Sequence, residues 1–318
     1  MNTLNFGDVV ALNDVRTEDL PSLGDSVLLV NIKAGKWSPN RQDKTASVKL
    51  AHDAGAQEDM VRAHKTLLKS SLLTQINSLY TRIFARHRDL TFEWMGDVRG
   101  VPGELYPQWE EEMSRFEKQY NELADTFTET DYAKARADAV SALGTMYADT
   151  DYPPLRVLRS KFYFRRTVMG LPEPDDIRVQ LGNAQRDAII DRYRQQYAEN
   201  IQHASRNLHD RLYRALAGDP DDPKKKGLID LLEGTTDTDG KRTKGKLSAS
   251  RLDGMRELID LMGVLNIGND PDLEAARKNL LGIFEGVRTV DDLKSQHERD
   301  AVKADLKKVM EKLPSLGW

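Results

Sequence analysis

Between Pro153 and Pro172 the chain places Arg156, Arg159, Lys161, Arg165 and Arg166 with no acidic residue among them, and it interleaves Phe162, Tyr163 and Phe164. Cations spaced among rings suit single-stranded nucleic acid: they neutralise phosphates while aromatic faces stack on unpaired bases whatever their identity. A second cluster, Lys33, Lys36, Arg41, Lys44 and Lys49 against Asp43 alone, surrounds Trp37, and a third, Arg82, Arg86 and Arg88, lies on a helical stretch. If the strands carrying the first two clusters pair, the nucleic-acid interface comprises Lys33, Lys36, Trp37, Arg156, Arg159, Lys161, Tyr163, Arg165 and Arg166. A plainer alternative stands beside this one: Phe162 and Phe164 alternate into the core and leave their basic neighbours as a solvated sheet face. The region from Glu104 to Asp131 carries nine acidic side chains against two basic ones, so a polyanion would touch only one end of the molecule.

Other chemistries fail at identifiable residues. Gly240-Lys241-Arg242-Thr243-Lys244-Gly245-Lys246-Leu247 matches a phosphate loop until Leu247, which stands where a hydroxyl should meet magnesium. The acidic stretch before it imitates a calcium loop, but Thr235 holds the first ligand position and Lys246 the twelfth, where a bidentate Glu belongs. Glu199 and His203 are one helical turn apart and could share a metal, yet no third ligand accompanies them, and an exposed helix pair explains them as well. No G-x-S-x-G, G-x-G-x-x-G or kinase signature occurs, and the absence of cysteine removes disulfides and thiolate chemistry. Carboxylate-only sites leave no spacing signature, so the reading is non-enzymatic by default, with no metal and no cofactor expected.

These residues must be positioned by long helices. The 318 residues carry 47 Lys and Arg against 51 Asp and Glu, for a net charge of −4, and the mean hydropathy is −0.61. No apolar run is long enough to span a bilayer, and the acidic N-terminus is unlike a signal peptide, so a cytoplasmic protein with no membrane partner is expected. Apolar residues at helical spacing predict a helix from about Gln57 to Asp89, with Val61, Leu68, Leu72, Ile76, Leu79 and Ile83 on one face. Trp109, Met113, Phe116, Tyr120, Leu123 and Phe127 then follow the alternating four-three spacing of a coiled-coil seam. Thr128 to Asp131 interrupts it before an Ala-rich helix from Tyr132 to Ala148, and a third long helix runs from about Ala184 to Ala217. The seam is first of all core. Its surplus of large side chains, Trp109, Met113, Phe116, Tyr120 and Phe127, also makes it the candidate surface for a homo-oligomer or a partner protein.

Strand signals are confined to Val27–Lys33, Phe162–Val168 and Ile177–Leu181. The stretches after Gly218 read as loops around one short helix, Leu228–Glu233, and Ser248 and Thr289 are candidate N-caps for modest C-terminal helices. The fold class expected is therefore mainly α: an elongated antiparallel helical bundle or coiled coil with a small two- or three-stranded β element and a small C-terminal helical domain. The corresponding boundaries are an N-terminal segment at 1–24, the bundle at 25–218, a linker at 219–247 and the C-terminal domain at 248–318.

The segment Leu28-Leu29-Val30-Asn31-Ile32-Lys33-Ala34-Gly35-Lys36-Trp37-Ser38, followed by a long helix, carries a resemblance together with Asp151-Tyr152-Pro153-Pro154-Leu155, Phe162-Tyr163-Phe164 and Gly170-Leu171-Pro172. These motifs, of moderate specificity and spread over roughly residues 25 to 215, resemble an uncharacterised family of proteins encoded by tailed bacteriophages. The family has no established catalytic residues to carry over. The resemblance implies a protein of the host cytoplasm, often encoded near a MoxR-type AAA+ ATPase. That context suits either single-stranded DNA binding in replication or recombination, or service as an adaptor or scaffold for such an ATPase.

Overall fold

The computed structural model describes residues 23–172, 183–233, 235–236, 242–243 and 247–313. The expected strand at 177–181, nearly all of the N-terminal segment and most of the phosphate-loop look-alike lie outside these residues. In chain order the elements are β1 (Val27–Gly35), β2 (Asn40–Asp43), α1 (Lys44–Asp53), β3 (Ala63–Thr66), α2 (Ser71–Asp89), β4 (Phe92–Met95) and β5 (Val98–Pro102). They continue with α3 (Tyr106–Thr126), α4 (Tyr132–Leu143), α5 (Leu155–Ser160), β6 (Tyr163–Gly170), α6 (Asn183–Ala217), β7 (Gly218–Asp219), β8 (Asp222–Lys226) and α7 (Leu228–Glu233). After a short pairing of 235–236 with 242–243 come α8 (Ala249–Leu265), α9 (Pro271–Glu285) and α10 (Gln296–Glu311). Helix makes up 65% of the structure, and its sheet is small and antiparallel, as a mainly α reading requires.

The chain forms two compact units, one from 1–30, 89–107 and 168–318, the other from 31–88 and 108–167. The expected boundaries at 218 and 247 do not coincide with this division. The C-terminal helices share a unit with α6, because side chains of α6 are completed by them.

In the first unit β5 lies between β4 and the opening residues of β1, with Val27 opposite Pro102 and Phe92 opposite Gly100. This hairpin of β4 and β5, which the strand signals did not include, pairs with the opening residues of β1. It turns at Gly96, whose φ of +56° suits a residue without Cβ. Trp94 packs edge-on against Tyr197 of α6 at 5.2 Å between ring centroids. Further along α6, Leu208, Leu212 and Leu216 are buried, as are Leu252, Ile259 and Met262 of α8 and Leu273, Leu280 and Phe284 of α9. Thr289 is the N-cap of a short 3-10 turn, Val290–Leu293, rather than of an α-helix, and its N–H donates to the Asp292 carboxylate at 2.7 Å; Ser248 is the N-cap of α8 without a side-chain hydrogen bond. The presumed loop after Gly218 is instead the hairpin of β7 and β8.

In the second unit the helix expected from Gln57 begins only at Ser71. Ser70 caps it, accepting from the Leu73 N–H at 3.1 Å and donating to Asp131 at 2.5 Å. The residues before it form β3, antiparallel to β2 with Arg41 opposite Lys65. Lys65 is fixed there by Asp151 at 2.7 Å, a long-range pairing that overrides the local helical spacing of Val61 and Leu68. Helices α2 and α3 run antiparallel: Arg86 pairs with Glu112, and the Trp109 indole N–H donates to Nδ1 of buried His87 at 2.9 Å. The interruption expected at 128–131 is a π-helical turn, Phe127–Asp131, which carries the chain into α4 without a break. Helix α4 stops at Leu143 rather than Ala148, because Gly144 takes a positive φ of +51°.

His209 of α6 shows how the C-terminal helices are locked to that helix. Its ring is 1% exposed and Nε2 lies 3.0 Å from Asp270, the N-cap of α9. Burial raises the Asp270 carboxyl, but hydrogen bonding and charge from His209 and the N–H groups of Leu273 and Asp272 outweigh it, leaving the group below the usual carboxylate range. A carboxyl depressed in the folded state contributes stability above its unfolded pKa of about 3.9 and loses it as pH falls through the folded value. Asp270→Asn keeps the cap, so it should cost about 1.5–3 kcal/mol at neutral pH, with the deficit closing below about pH 4. Thermal melts followed by circular dichroism across that range check it.

Candidate nucleic-acid interface

The candidate residues lie in the second unit: Lys33 on β1 with Lys36 and Trp37 just after it, Arg156 and Arg159 on α5, Lys161 between α5 and β6, and Tyr163, Arg165 and Arg166 on β6. Strand β6 alternates: Phe162, just before it, and Phe164 are buried, whereas Tyr163 and Arg165 are exposed. Inside, Phe162 packs against Phe127, and Phe164 against Tyr120, at 5.8 and 6.4 Å between centroids.

Trp37 belongs to the same interior. It is 8% exposed, stacked on Phe127 at 6.3 Å and set edge-on to Tyr132 at 5.9 Å. The base-stacking role expected of Trp37 is therefore corrected to a core role. The seam is corrected likewise: Trp109, Met113, Tyr120 and Phe127 are 0% exposed and Phe116 5%, so their side chains have no surface left for a second copy or a partner. Leu123 is only half-buried, and Ala124 takes the interior position beside it.

The cations divide into two sets. Arg166 is held by Glu110 at 2.7 Å, Glu117 at 2.8 Å and the Ser114 hydroxyl at 2.9 Å. Arg159 is held by Asp125 at 2.6 Å and donates to the Phe162 carbonyl at 2.8 Å. Arg86, from the third basic cluster, forms a bidentate pair with Glu112 and, by hydrogen bonding, holds that carboxyl below its usual range against the opposing effect of burial. These arginines serve as counterions to the acidic helix α3.

The second set is Lys33, Lys36, Arg156, Lys161 and Arg165, all exposed and, among the described residues, with no carboxylate within ion-pairing distance. The Lys36 ammonium stands 4.5 Å from the Tyr80 ring centroid, and the Arg165 guanidinium 5.4 Å from that of Tyr163. Tyr163 itself is 41% exposed. It meets β1 at Gly35, which also approaches the Lys161 carbonyl, so the structure does bring the two distant basic stretches together there. Arg156 is exposed on α5, upstream of that meeting point. Gly35 was not among the candidates. The signal available for it is a glycine at the end of an apolar strand, which marks a close approach of another group.

Elsewhere, Glu199 and His203 line an open groove of about 500 Å³ with Glu93, whose Oε2 is 3.5 Å from His203 Nδ1. Among the described residues no group of three or more ligating side chains could hold a metal ion. Arg242 and Thr243 of the phosphate-loop look-alike pair with 235–236, and the rest of that loop before Leu247 lies outside the described residues. Compared with known proteins, the chain matches no family model, no curated protein and no solved structure.

The two sets of cations separate by stability. Arg166→Ala strands two carboxylates and should cost about 1 kcal/mol, whereas Arg165→Ala should stay within about 0.5 kcal/mol of the parent. Urea unfolding monitored by tryptophan fluorescence distinguishes them.

Proposed function

We propose that the protein is a non-enzymatic binder of single-stranded nucleic acid, holding the phosphate backbone on Lys33, Lys36, Lys161 and Arg165, with Arg156 at the margin and Tyr163 beside them. The observation that carries the reading is the set of cations without carboxylate partners around an exposed ring, in a unit where neighbouring arginines are neutralised. A face selected only for folding would pair these charges with the acidic side chains that α3 has in surplus. Arg159 and Arg166 support the acidic helix and take no part in the contact. The resemblance of its motifs to a tailed-bacteriophage family suits a role in viral DNA replication or recombination within the host cytoplasm, with self-association along the strand. Among the described residues no helix is long and apolar enough to cross a membrane.

The adaptor reading retains one supporting observation. Leu155 and Val157 of α5 are 53% and 47% exposed, and a partner protein such as a MoxR-type ATPase would cover them. A pull-down with nuclease present separates the readings, because partners held through nucleic acid are lost.

Fluorescence anisotropy with labelled oligo(dT) at two salt concentrations tests the proposal directly. Affinity should fall with salt, and Lys33→Glu with Arg165→Glu should weaken binding at least about tenfold and flatten the log–log salt slope by about 0.7 per phosphate contact removed. Absence of binding at low salt, or an unchanged slope in the double variant, overturns it.

A further inference from the structure

Resting on that reading, we infer that Gly35 is a positioning residue: it seats Tyr163 as a stacking platform, so that the ligand of this face must present an unpaired base. A Cβ on Gly35 would lie 2.1 Å from Cε1 and 2.6 Å from Cδ1 of Tyr163, and 2.8 Å from the Lys161 carbonyl oxygen. The tyrosine ring occupies the space over the Gly35 backbone, and a residue with any side chain would take it away. Gly35 is in turn held from the interior, because its carbonyl accepts a 2.5 Å hydrogen bond from the Tyr120 hydroxyl. Tyr120 is 0% exposed. Burial pushes its pKa far above the normal tyrosine value, so the hydroxyl remains a donor.

Packing of an aromatic ring across a strand glycine is by itself a structural device. Two further features are not required by it. Tyr163 is 41% exposed as a residue, and the Arg165 guanidinium lies over its ring, 5.4 Å from the centroid, without a carboxylate partner among the described residues. A ring already immobilised on the sheet loses little conformational freedom when a base takes the place of the exposed guanidinium over it, and the displaced Arg165 remains within reach of that nucleotide's phosphate. Duplex DNA offers no base face without the cost of unstacking, so the platform selects single strands while the lysines recognise phosphate alone.

The test compares binding of the full chain, by anisotropy at one salt concentration, to oligo(dT) and to an abasic deoxyribose-phosphate oligomer of equal length. The parent should prefer oligo(dT) by about tenfold. Tyr163→Ala and Gly35→Val should lose that preference while keeping abasic affinity within about twofold, and Tyr163→Phe should retain it. Where Gly35→Val fails to fold, Gly35→Ala reports instead, since its single methyl meets the same ring atoms. Equal affinity of the parent for both oligomers, or an intact preference in a folded Gly35 variant, overturns the inference while phosphate binding stands. Failure of the parent to bind either oligomer removes the nucleic-acid reading as well.

Discussion

Successive side chains of a strand leave opposite faces, and this constraint governs the surface of the second unit. Phe162 and Phe164 bury themselves against Phe127 and Tyr120 of the helix, which turns Tyr163 and Arg165 toward solvent. The basic character of that face follows from the apolar character of the other. Neither set of residues can be moved by one position without exposing phenylalanine and burying a guanidinium, so register and surface chemistry are the same property here.

Helix α3 sorts the charges. Its inward face is aromatic and its outward face acidic, and the second feature, left unpaired, would repel a polyanion from the whole unit. Arg86, Arg159 and Arg166 meet Glu112, Asp125, Glu110 and Glu117 directly, so much of the helix's negative charge is neutralised at contact distance, where attraction is strongest. Glu111 and Glu122 stay exposed on the helix, and the cations left without carboxylates gather around the end of β1 and the start of β6. Charge clusters counted along the chain mix these populations, and only pairing in space separates counterions from a potential binding surface.

The long helices α3 and α6 and the first strand were legible in sequence because their periodicity runs for many residues and no competing pattern exists. The N-cap at Thr289 was legible because it is local. The helical spacing from Gln57 misleads, since Val61 and Leu68 fit a helical period by chance while β2, twenty to twenty-six positions upstream, claims residues 63–66. The hairpin of β4 and β5 was overlooked although Phe92 and Trp94 alternate ahead of a Gly96-Asp97 turn, a pattern that is readable at short range. At the interface, the exposure of Tyr163 could be foreseen from alternation. The burial of Trp37 could not, because it depends on Phe127 and Tyr132, ninety or more residues away.

The π-helical turn between α3 and α4 has a bearing on that burial. Its hydrogen bond runs from the Tyr132 N–H to the Phe127 carbonyl, five residues back. In an uninterrupted α-helix two residues five apart point about 140° away from each other, whereas a wider turn superimposes them. Phe127 and Tyr132 consequently stand together at 5.9 Å and close on Trp37 from two directions. The turn is equivalent to one extra amino acid spliced into a helix. A chain shortened by that one position would swing Tyr132 off the indole and open a void around it, so the packing depends on the length of this stretch as much as on its composition.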